Sequence, residues 1–511
     1  MSQDVEQVKP KKRMFVALVV SFSMIFLNAT FLPIALPQIS NSLNINASSL
    51  FWVVNAYFIT SCSMFLLGGR LVRRFGPLKI FRVGICFYLV GSVLALCSFN
   101  LTSLLTGRVL CGFGGAMISP ATFSVIVHTY SESVRGKKIG TLIGMSSMAL
   151  MMGPFLGGLL TQLFTWRALF LLNILVGIVA FILAARARVK FTAFREKLDV
   201  LGFFSFTLSI ATLIYVITTL GARGFSTTTF ILLGCIVLFV SLLVFSSRRA
   251  EHPYFDFRLL KRQSFLLAIL VVFFSQSILS ISFFWPIYFL IEGNLGTTPI
   301  QVGSVISFAT LGLFIFSPIA GVYFDKKGFK RPIILGWSVL SVALAGIAFS
   351  ISHPEKWQFI ICFVLFGIGI SFISTPSGTL AQHGVEKSMS GMVSGLYNTV
   401  RFFGSSMGVA TWGSLINYWN RTTFYQNIAA PLKDKIPSFK VLSKAKIGGN
   451  FQEQLTSTLS QGEISYISNL WNLSYQKSFF FLHICLLCLA ITVLCVLIGC
   501  RKRNFIDQFS K

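Results

Sequence analysis

The chain has 511 residues, of which 54% are hydrophobic and only 11% are charged. Soluble domains have about 25% charged residues, so this composition excludes an ordinary soluble protein and indicates an integral membrane protein. The formal net charge is +28, but the Lys and Arg residues cluster in short segments beside apolar runs, which favours a membrane topology over nucleic-acid binding.

The first element is a polar, basic segment of 13 residues without a signal-peptide pattern, so we expect it to be a tail. Apolar runs long enough to cross a bilayer follow, at roughly 20 residues per helix. They predict an all-α integral membrane protein with about 14 transmembrane helices. The predicted spans are 14–36, 49–69, 79–98, 103–128, 138–161, 166–186, 199–220, 228–247, 264–291, 301–323, 332–351, 357–377, 392–418 and 478–500.

The loops between these spans alternate in charge. Segments such as 70–79 and 326–331 are strongly basic, whereas the loops on the other side contain little more than Arg167, Arg223 and Lys356. Since basic loops stay in the cytoplasm, this alternation predicts an even number of spans with both termini cytoplasmic. The exception is the long polar segment 419–477, which we expect to be external and partly helical, lying across the outer mouth.

Two of the basic segments share one spacing. The earlier reads Gly69-Arg-Leu-Val-Arg73-Arg74-Phe-Gly76-Pro-Leu-Lys79, and the later reads Gly321-Val-Tyr-Phe-Asp325-Lys-Lys-Gly328-Phe-Lys330-Arg331. Each joins two predicted spans, which indicates an internal duplication. Many carriers are built from two related halves with the substrate site between them.

Further motifs appear in order along the predicted helices. They are Leu27-Asn28-Ala-Thr30 leading to Ala35-Leu36-Pro37, Trp52-Val-Val-Asn55-Ala56-Tyr57, Gly107-Arg108 leading to Gly114-Gly115, Gly153-Pro154-Phe-Leu-Gly157-Gly158, and Ser394-Gly395 leading to Asn398, Arg401 and Gly404. Together they resemble the major facilitator superfamily and, within it, the fourteen-helix drug:proton antiporter branch of the EmrB/QacA type. The likeness extends from about residue 27 to residue 500.

The resemblance implies a major facilitator fold of two six-helix bundles and two additional helices. The implied divisions are a cytoplasmic tail at 1–13, a first bundle at 14–186, two additional linker helices at 199–247, a second bundle at 264–500 that includes a periplasmic loop at 419–477, and a cytoplasmic tail at 501–511.

It also implies a secondary active exporter of drugs or other small molecules, working by alternating access in a bacterial cytoplasmic membrane. No cofactor is expected. Related exporters work with a periplasmic adaptor and an outer-membrane channel, so these are expected partners besides substrate, proton and lipid. The alternatives are a carrier for an anionic or zwitterionic metabolite such as a siderophore, and a membrane sensor that does not transport. We expect no enzyme activity and no metal site, because no intramembrane carboxylate pair, His cluster or nucleophile with its base is evident.

Two arginines fall within the predicted spans, where a charge is costly unless it faces a cavity or a partner. Arg108 and Arg401 are therefore functional candidates, with snorkelling towards a helix end as the alternative for each. The candidate substrate and coupling residues are Asn28, Thr30, Asn55, Tyr57, Arg108, Asn398 and Arg401.

A second group consists of glycines that allow close helix approach, a proline that bends its helix, and charges of the repeated loops, where Asp and basic residues can pair to hold one conformation closed. Ordinary packing glycines and tight turns are the alternatives. The candidate gating residues are Gly69, Arg73, Gly76, Gly153, Pro154, Gly157, Gly158, Gly321, Asp325, Gly328 and Arg331.

The chain departs from the family pattern at Asn28, where this branch usually has an Asp that is implied to take part in proton coupling. An amide cannot ionise, and Arg73 likewise replaces the acidic residue of the first gate loop. Every acidic residue lies in a predicted loop, tail or helix end, with Glu292 and His483 near the outer face as the nearest titratable substitutes. We therefore expect a pocket whose only strong charges are positive, which prefers anionic, zwitterionic or neutral substrates, with proton coupling weak, absent or relocated.

Overall fold

The computed structural model describes residues 12–45, 47–185, 198–223, 226–251, 253–292, 298–383, 390–429, 432 and 459–499. Within these ranges the regular structure is entirely helical, which confirms the predicted fold class. In chain order the helices are α1 (Lys12–Leu43), α2 (Ala47–Phe75), α3 (Pro77–Leu96), α4 (Leu101–Thr129), α5 (Glu132–Leu163), α6 (Arg167–Ala185), α7 (Val200–Arg223), α8 (Thr227–Arg249), α9 (Gln263–Leu279), α10 (Trp285–Glu292), α11 (Pro299–Lys327), α12 (Lys330–Ser352), α13 (Lys356–Gln382), α14 (Ser390–Asn427) and α15 (Gln461–Gly499).

Fourteen membrane crossings were predicted, and thirteen of them have a long apolar helical span in the described ranges. A 3₁₀ turn, Ser280–Phe283, joins α9 to α10, and the two helices form a single apolar span over Gln263–Leu290. Thirteen spans in the described ranges are long and apolar enough to cross a bilayer. Helix α14, which occupies the remaining predicted span 392–418, is more polar than the others and packs against α2, α7, α9 and α15.

The last two crossings extend further than their apolar runs predict. Helix α14 has 38 residues and α15 has 39, or about 57 Å each, against a hydrocarbon core of about 30 Å. Their projecting ends share a small apolar cluster in which the rings of Phe424 and Trp471 lie 5.7 Å apart. The segment predicted as a loop at 419–477 therefore begins and ends within helices, because these side chains stabilise one helix against the other. Residues 433–458 lie outside the described residues, and the proposed position across the outer mouth stays a prediction.

The helices contact one another in two groups. Helices α1 to α6 are linked by the α1–α5, α2–α4, α3–α4 and α3–α6 contacts, and α9 to α15 by the α9–α14, α11–α13, α12–α13 and α12–α15 contacts. The groups meet where α5 packs on α11 and where α2 packs on α14. Helix α7 packs on α8 and lies against both α2 and α14. The predicted domain boundaries remain a prediction, but this grouping is the one that a duplicated chain requires.

The two repeated segments fold into equivalent turns. Gly76 separates α2 from α3 with a φ of 90°, and Gly328 separates α11 from α12 with a φ of 71°. A residue with a Cβ is strained at such positive φ values, so glycine is needed at both turns. The shared backbone conformation supports the internal duplication.

The segment between α8 and α9 is anchored to α7 and α2. The Asp199 carboxylate, which caps the start of α7, accepts hydrogen bonds from Ser246 Oγ at 2.5 Å and from the backbone N–H of Tyr254 at 2.8 Å. The Tyr254 hydroxyl donates to the Ser63 carbonyl of α2, and Arg70 donates to the Pro253 carbonyl. Burial raises the pKa of Tyr254 well above 10, so its hydroxyl remains a donor at neutral pH.

Candidate functional site

A cavity of about 1350 Å³ opens at the end of the molecule where the basic loops lie. Its walls come from α2, α4 and α5 of the first group, from α13 and α14 of the second, from the end of α8, and from the segment between α8 and α9. Of the residues predicted from the sequence, Gly69, Arg73 and Asn398 line this cavity. It therefore lies between the two groups of helices, where the duplication predicted a binding site.

The charge of the cavity wall is mostly positive. The basic residues in it are Arg70, Arg73, Arg135, Arg248, Arg258 and Lys261. Glu251 and Asp256 also line it, so the expectation that its only strong charges are positive is wrong. Both acidic residues lie in the segment between α8 and α9, which Tyr254 holds against α2. This contact brings their carboxylates into the cavity wall, and their position in the sequence does not predict it. Basic residues still outnumber acidic ones, and the cavity favours anionic over cationic ligands.

Arg108 lies outside this cavity, in a buried network within the first group of helices. Its side chain is 2% exposed, its Nε donates to the Val53 carbonyl at 3.0 Å, and its Nη1 donates to Asn28 Oδ1 at 3.0 Å. Asn28 Nδ2 donates to the Tyr88 hydroxyl at 2.6 Å, and the guanidinium lies 4.7 Å from the centre of the Tyr57 ring. Arg108 therefore does not snorkel, and neutral dipoles and an aromatic face stabilise its charge.

Thr30 and Asn55 make packing contacts and also do not line the cavity. Thr30 Oγ1 donates to the Leu150 carbonyl of α5 at 3.1 Å. Asn55 Oδ1 accepts a hydrogen bond from Ser406 Oγ at 2.9 Å, which joins α2 to α14 across the two groups of helices. In this conformation Thr30 and Asn55 thus hold helices together, and a substrate in the cavity would not touch them.

The predicted residues of α14 are closer to the cavity. Asn398 lines it and donates from Nδ2 to the Ser394 carbonyl at 3.0 Å. Arg401 lies one helical turn beyond Asn398 and is half-buried. Its guanidinium makes no hydrogen bond or ion pair to the residues that the structure describes. The sequence motif on α14 thus contains a cation one turn from the cavity-lining Asn398, with no counter-charge among the described residues.

The glycines of α5 close the opposite end of the molecule. A Cβ on Gly153 would overlap Thr30, one on Gly157 would lie 2.6 Å from the Phe31 carbonyl oxygen, and one on Gly158 would overlap the Pro299 backbone of α11. The Pro154 carbonyl likewise lies against Gly303 of α11. Only glycine allows the backbones to approach this closely. The contact of Gly158 and Pro154 with α11 excludes a passage between α5 and α11 at that end.

The repeated loops are open at the cavity end. A Cβ on Gly69 would meet nothing within 4 Å, and the nearest atom to one on Gly321 is Thr375 Cγ2 at 3.7 Å. Asp325 and Arg331 are exposed, and Asp325 makes no ion pair among the described residues. The pairing expected for a closed gate is thus missing at Asp325, as an open cavity at this end requires.

Glu292 and His483 were predicted as titratable groups that could replace the missing carboxylate at Asn28. The side chain of Glu292 lies outside the described residues. His483 is fully buried well inside α15, which begins at Gln461, whereas the predicted span 478–500 placed it close to the start of the helix. Its Nε2 lies 3.5 Å from Trp285 Nε1 and its Nδ1 lies 2.8 Å from the Phe479 carbonyl oxygen. A neutral ring satisfies both contacts, with Nδ1 donating and Nε2 accepting.

Several residues of these polar networks could not be predicted from the sequence. Tyr88 is one tyrosine among twelve, without a motif around it, and Val53 contributes only its carbonyl group. Gln276, Ser374 and Tyr397 form a second polar group, with Gln276 Nε2 donating to Ser374 Oγ at 3.4 Å. These three residues come together only through tertiary packing. In the sequence, the one sign of this polar group was a glutamine, Gln276, within an apolar span.

Known proteins share this architecture. The family model of the Major Facilitator Superfamily matches residues 17–409. The riboflavin transporter RibZ of Clostridioides difficile strain 630 is 26% identical over 412 residues, covering 80% of this chain and 88% of that protein. The multidrug resistance protein Stp of Mycobacterium tuberculosis strain CDC 1551 / Oshkosh is 26% identical over 423 residues, covering 81% and 77%.

Among solved structures, a bacterial homologue of the human lysosomal transporter Spinster, in an inward-facing and unoccupied conformation, superposes with a TM-score of 0.64. It is 13% identical, and the match covers 98% of both chains, which at this identity shows the fold alone. The family match extends over most of the chain, and these relatives are transporters and not enzymes. The chain therefore belongs to the Major Facilitator Superfamily.

Proposed function

We propose that the protein exports small molecules across a bacterial cytoplasmic membrane, as a member of the fourteen-helix drug:proton antiporter branch. The observation that supports this most directly is the cavity between the two groups of helices, open at the basic end and closed at the other by the α5–α11 contact. By the positive-inside rule the basic end is cytoplasmic. The arrangement is then one state of an alternating-access cycle, in which the cavity receives substrate from the cytoplasm.

The coupling that we propose differs from a carboxylate on α1. Asn28 occupies the position facing Arg108, and its amide makes a hydrogen bond to Arg108 and another to Tyr88 without taking up a proton. A proton that drives transport must therefore bind elsewhere or not at all. The periplasmic adaptor and outer-membrane channel belong to the same proposal, with the projecting ends of α14 and α15 as the surface available to them.

A second candidate is a carrier for an anionic or zwitterionic metabolite. The observation that favours it is the cavity wall, in which six basic side chains face two carboxylates. A relative named as a riboflavin transporter makes an uncharged metabolite a useful test compound as well. These candidates predict different substrates for the same cavity.

Flux into proteoliposomes separates them. We would compare ethidium, riboflavin and fluorescein as cationic, uncharged and anionic compounds, with and without an imposed pH gradient. We expect riboflavin or fluorescein to move several-fold faster than through protein-free liposomes, with less than about a twofold gain from the gradient. Strong gradient-driven ethidium flux would contradict the proposed coupling, and no flux of any of the three would favour the sensor alternative.

A further inference from the structure

A polar group lies in the second half of the molecule, beside the cavity. Gln276 of α9 is 3% exposed and donates to Ser374 of α13. The Tyr397 hydroxyl of α14 lies 3.2 Å from the Ser374 carbonyl oxygen and 3.0 Å from Ser377 Oγ. Three helices therefore contribute donors and acceptors to one place in an otherwise apolar region, where polar groups are costly without a role.

Arg401 lies one helical turn from Tyr397 on the same face of α14. Ser394 and Asn398, which line the cavity, precede Arg401 at helical spacing, so Arg401 lies one turn beyond the part of α14 that lines the cavity. It lies roughly three turns inside the helix, within the predicted span 392–418. The other sides of α14 are covered by α2, α7, α9 and α15.

A guanidinium at this depth requires a counter-charge or a hydrated cavity. Among the described residues, Arg401 has neither a hydrogen bond nor an ion pair. The acidic residues of the cavity wall, Glu251 and Asp256, are in the segment between α8 and α9, and neither makes an ion pair with Arg401 in the described part of the chain. The site thus contains a positive charge that the described protein groups leave without a counter-charge, and water or a ligand must stabilise it.

We propose that Arg401, supported by Asn398, Tyr397 and Gln276, binds an anionic group of the transported molecule, a carboxylate or another oxyanion attached to an apolar body. A guanidinium presents two parallel N–H donors that match a carboxylate. This inference rests on the proposed function and adds the substrate class to it. It also assigns recognition to the second half of the protein, because Arg108 in the first half already has protein partners.

Equilibrium binding to the full chain tests this with a matched pair of dyes. Rhodamine 110 has a free carboxylate, and rhodamine 123 is its methyl ester, so the two share one aromatic, cationic xanthylium body and differ in the carboxylate alone. Fluorescence anisotropy would be measured in nanodiscs of phosphatidylcholine, which contain no anionic lipid. We expect the wild type to bind rhodamine 110 at least about tenfold more tightly than rhodamine 123, as one charge-assisted hydrogen bond implies.

Substitutions at Arg401 should remove this preference selectively. Arg401→Gln should weaken rhodamine 110 binding by roughly 10- to 100-fold and leave rhodamine 123 binding within about twofold. Arg401→Lys should keep part of the preference, since it retains charge but loses the paired donors. Lys327→Gln removes an exposed base near the same end, outside the cavity wall and the candidate residues, and should leave the affinity for both dyes unchanged. Unchanged rhodamine 123 binding also shows that the variants are folded.

Three results would overturn the inference: equal binding of the two dyes by the wild type, a preference that persists in Arg401→Gln, or loss of the preference when phosphatidylglycerol is added. The last would assign the site to a lipid headgroup. Flux of rhodamine 110 in proteoliposomes separates the two levels of proposal. Tight, Arg401-dependent binding without flux would reject the transport function and leave the binding site in place.

Discussion

The two arginines within the membrane have opposite environments. Arg108 is 2% exposed and its side chain bonds to Val53 and Asn28 and lies over Tyr57. Arg401 is half-buried, next to the cavity, and has no such partner among the described residues. The cost of a buried charge is offset by protein dipoles in the first case and must be offset by water or ligand in the second. A charge in a membrane helix therefore indicates a substrate site only where the protein leaves it unpaired.

Replacing each arginine by an uncharged residue should give the largest contrast. Arg108→Leu removes two charge-assisted hydrogen bonds and leaves the Val53 carbonyl and Asn28 without donors, so we expect a loss of about 3 kcal/mol in unfolding free energy. Arg401→Gln removes no hydrogen bond of the described structure and should cost less than about 1 kcal/mol. Denaturation in mixed micelles, followed by tryptophan fluorescence, measures both. Equal losses would mean that Arg401 is also a structural residue.

Helix packing at the closed end determines from which side Arg401 can be reached. Gly158→Val places a branched side chain against the Pro299 backbone, and overpacking of this kind costs about 1–3 kcal/mol. We expect α5 and α11 to separate and the population to shift away from the state open at the basic end. The distance between spin labels at Gln162 and Gln301, two positions that flank this contact, should then increase.

The matched control is Gly144→Val on the same helix, where an added Cβ meets nothing within 4 Å. It should leave the spin-label distance unchanged. If Gly158→Val also leaves it unchanged, the α5–α11 contact does not hold the closed end, and access to Arg401 is not limited to one side.

The sequence predicted the parts of this molecule that depend on local composition. Apolar runs of about 20 residues fix the spans, and the basic loops separate the two ends. Neither the apolar runs nor the basic loops distinguish Arg108 from Arg401. The environments of these two arginines differ because a carbonyl of α2 and tyrosines of α2 and α3 approach Arg108 only in the folded chain. The long ends of α14 and α15 were missed for a related reason: contacts such as Phe424 with Trp471 stabilise them outside the apolar runs.

A carboxylate introduced beside Arg108 should make the first half resemble a proton-coupled site. Asn28→Asp places an ionisable group 3.0 Å from the guanidinium, where Tyr88 can still share a hydrogen bond with it. We expect a pH gradient to accelerate flux of the best substrate by about three- to tenfold, equivalent to about 1 kcal/mol. Asn28→Leu provides the control that lacks both charge and amide. If the pH gradient already accelerates flux through the wild type, and Asn28→Asp does not change that acceleration, proton coupling takes place at another site.

The smallest effect is expected at Tyr254, which lies outside the spans and contacts neither arginine. Its hydroxyl donates to the Ser63 carbonyl of α2, the helix that also provides the Val53 carbonyl for Arg108. Tyr254→Phe removes this hydrogen bond, retains the ring packed on Phe203 and Phe206, and should cost about 1 kcal/mol or less. Because burial holds the Tyr254 pKa well above 10, the cost should be the same at pH 7 and pH 8. If the variant instead abolished rhodamine 110 binding, the α8–α9 segment would be part of the binding site, and recognition could not be assigned to Arg401 and its neighbours alone.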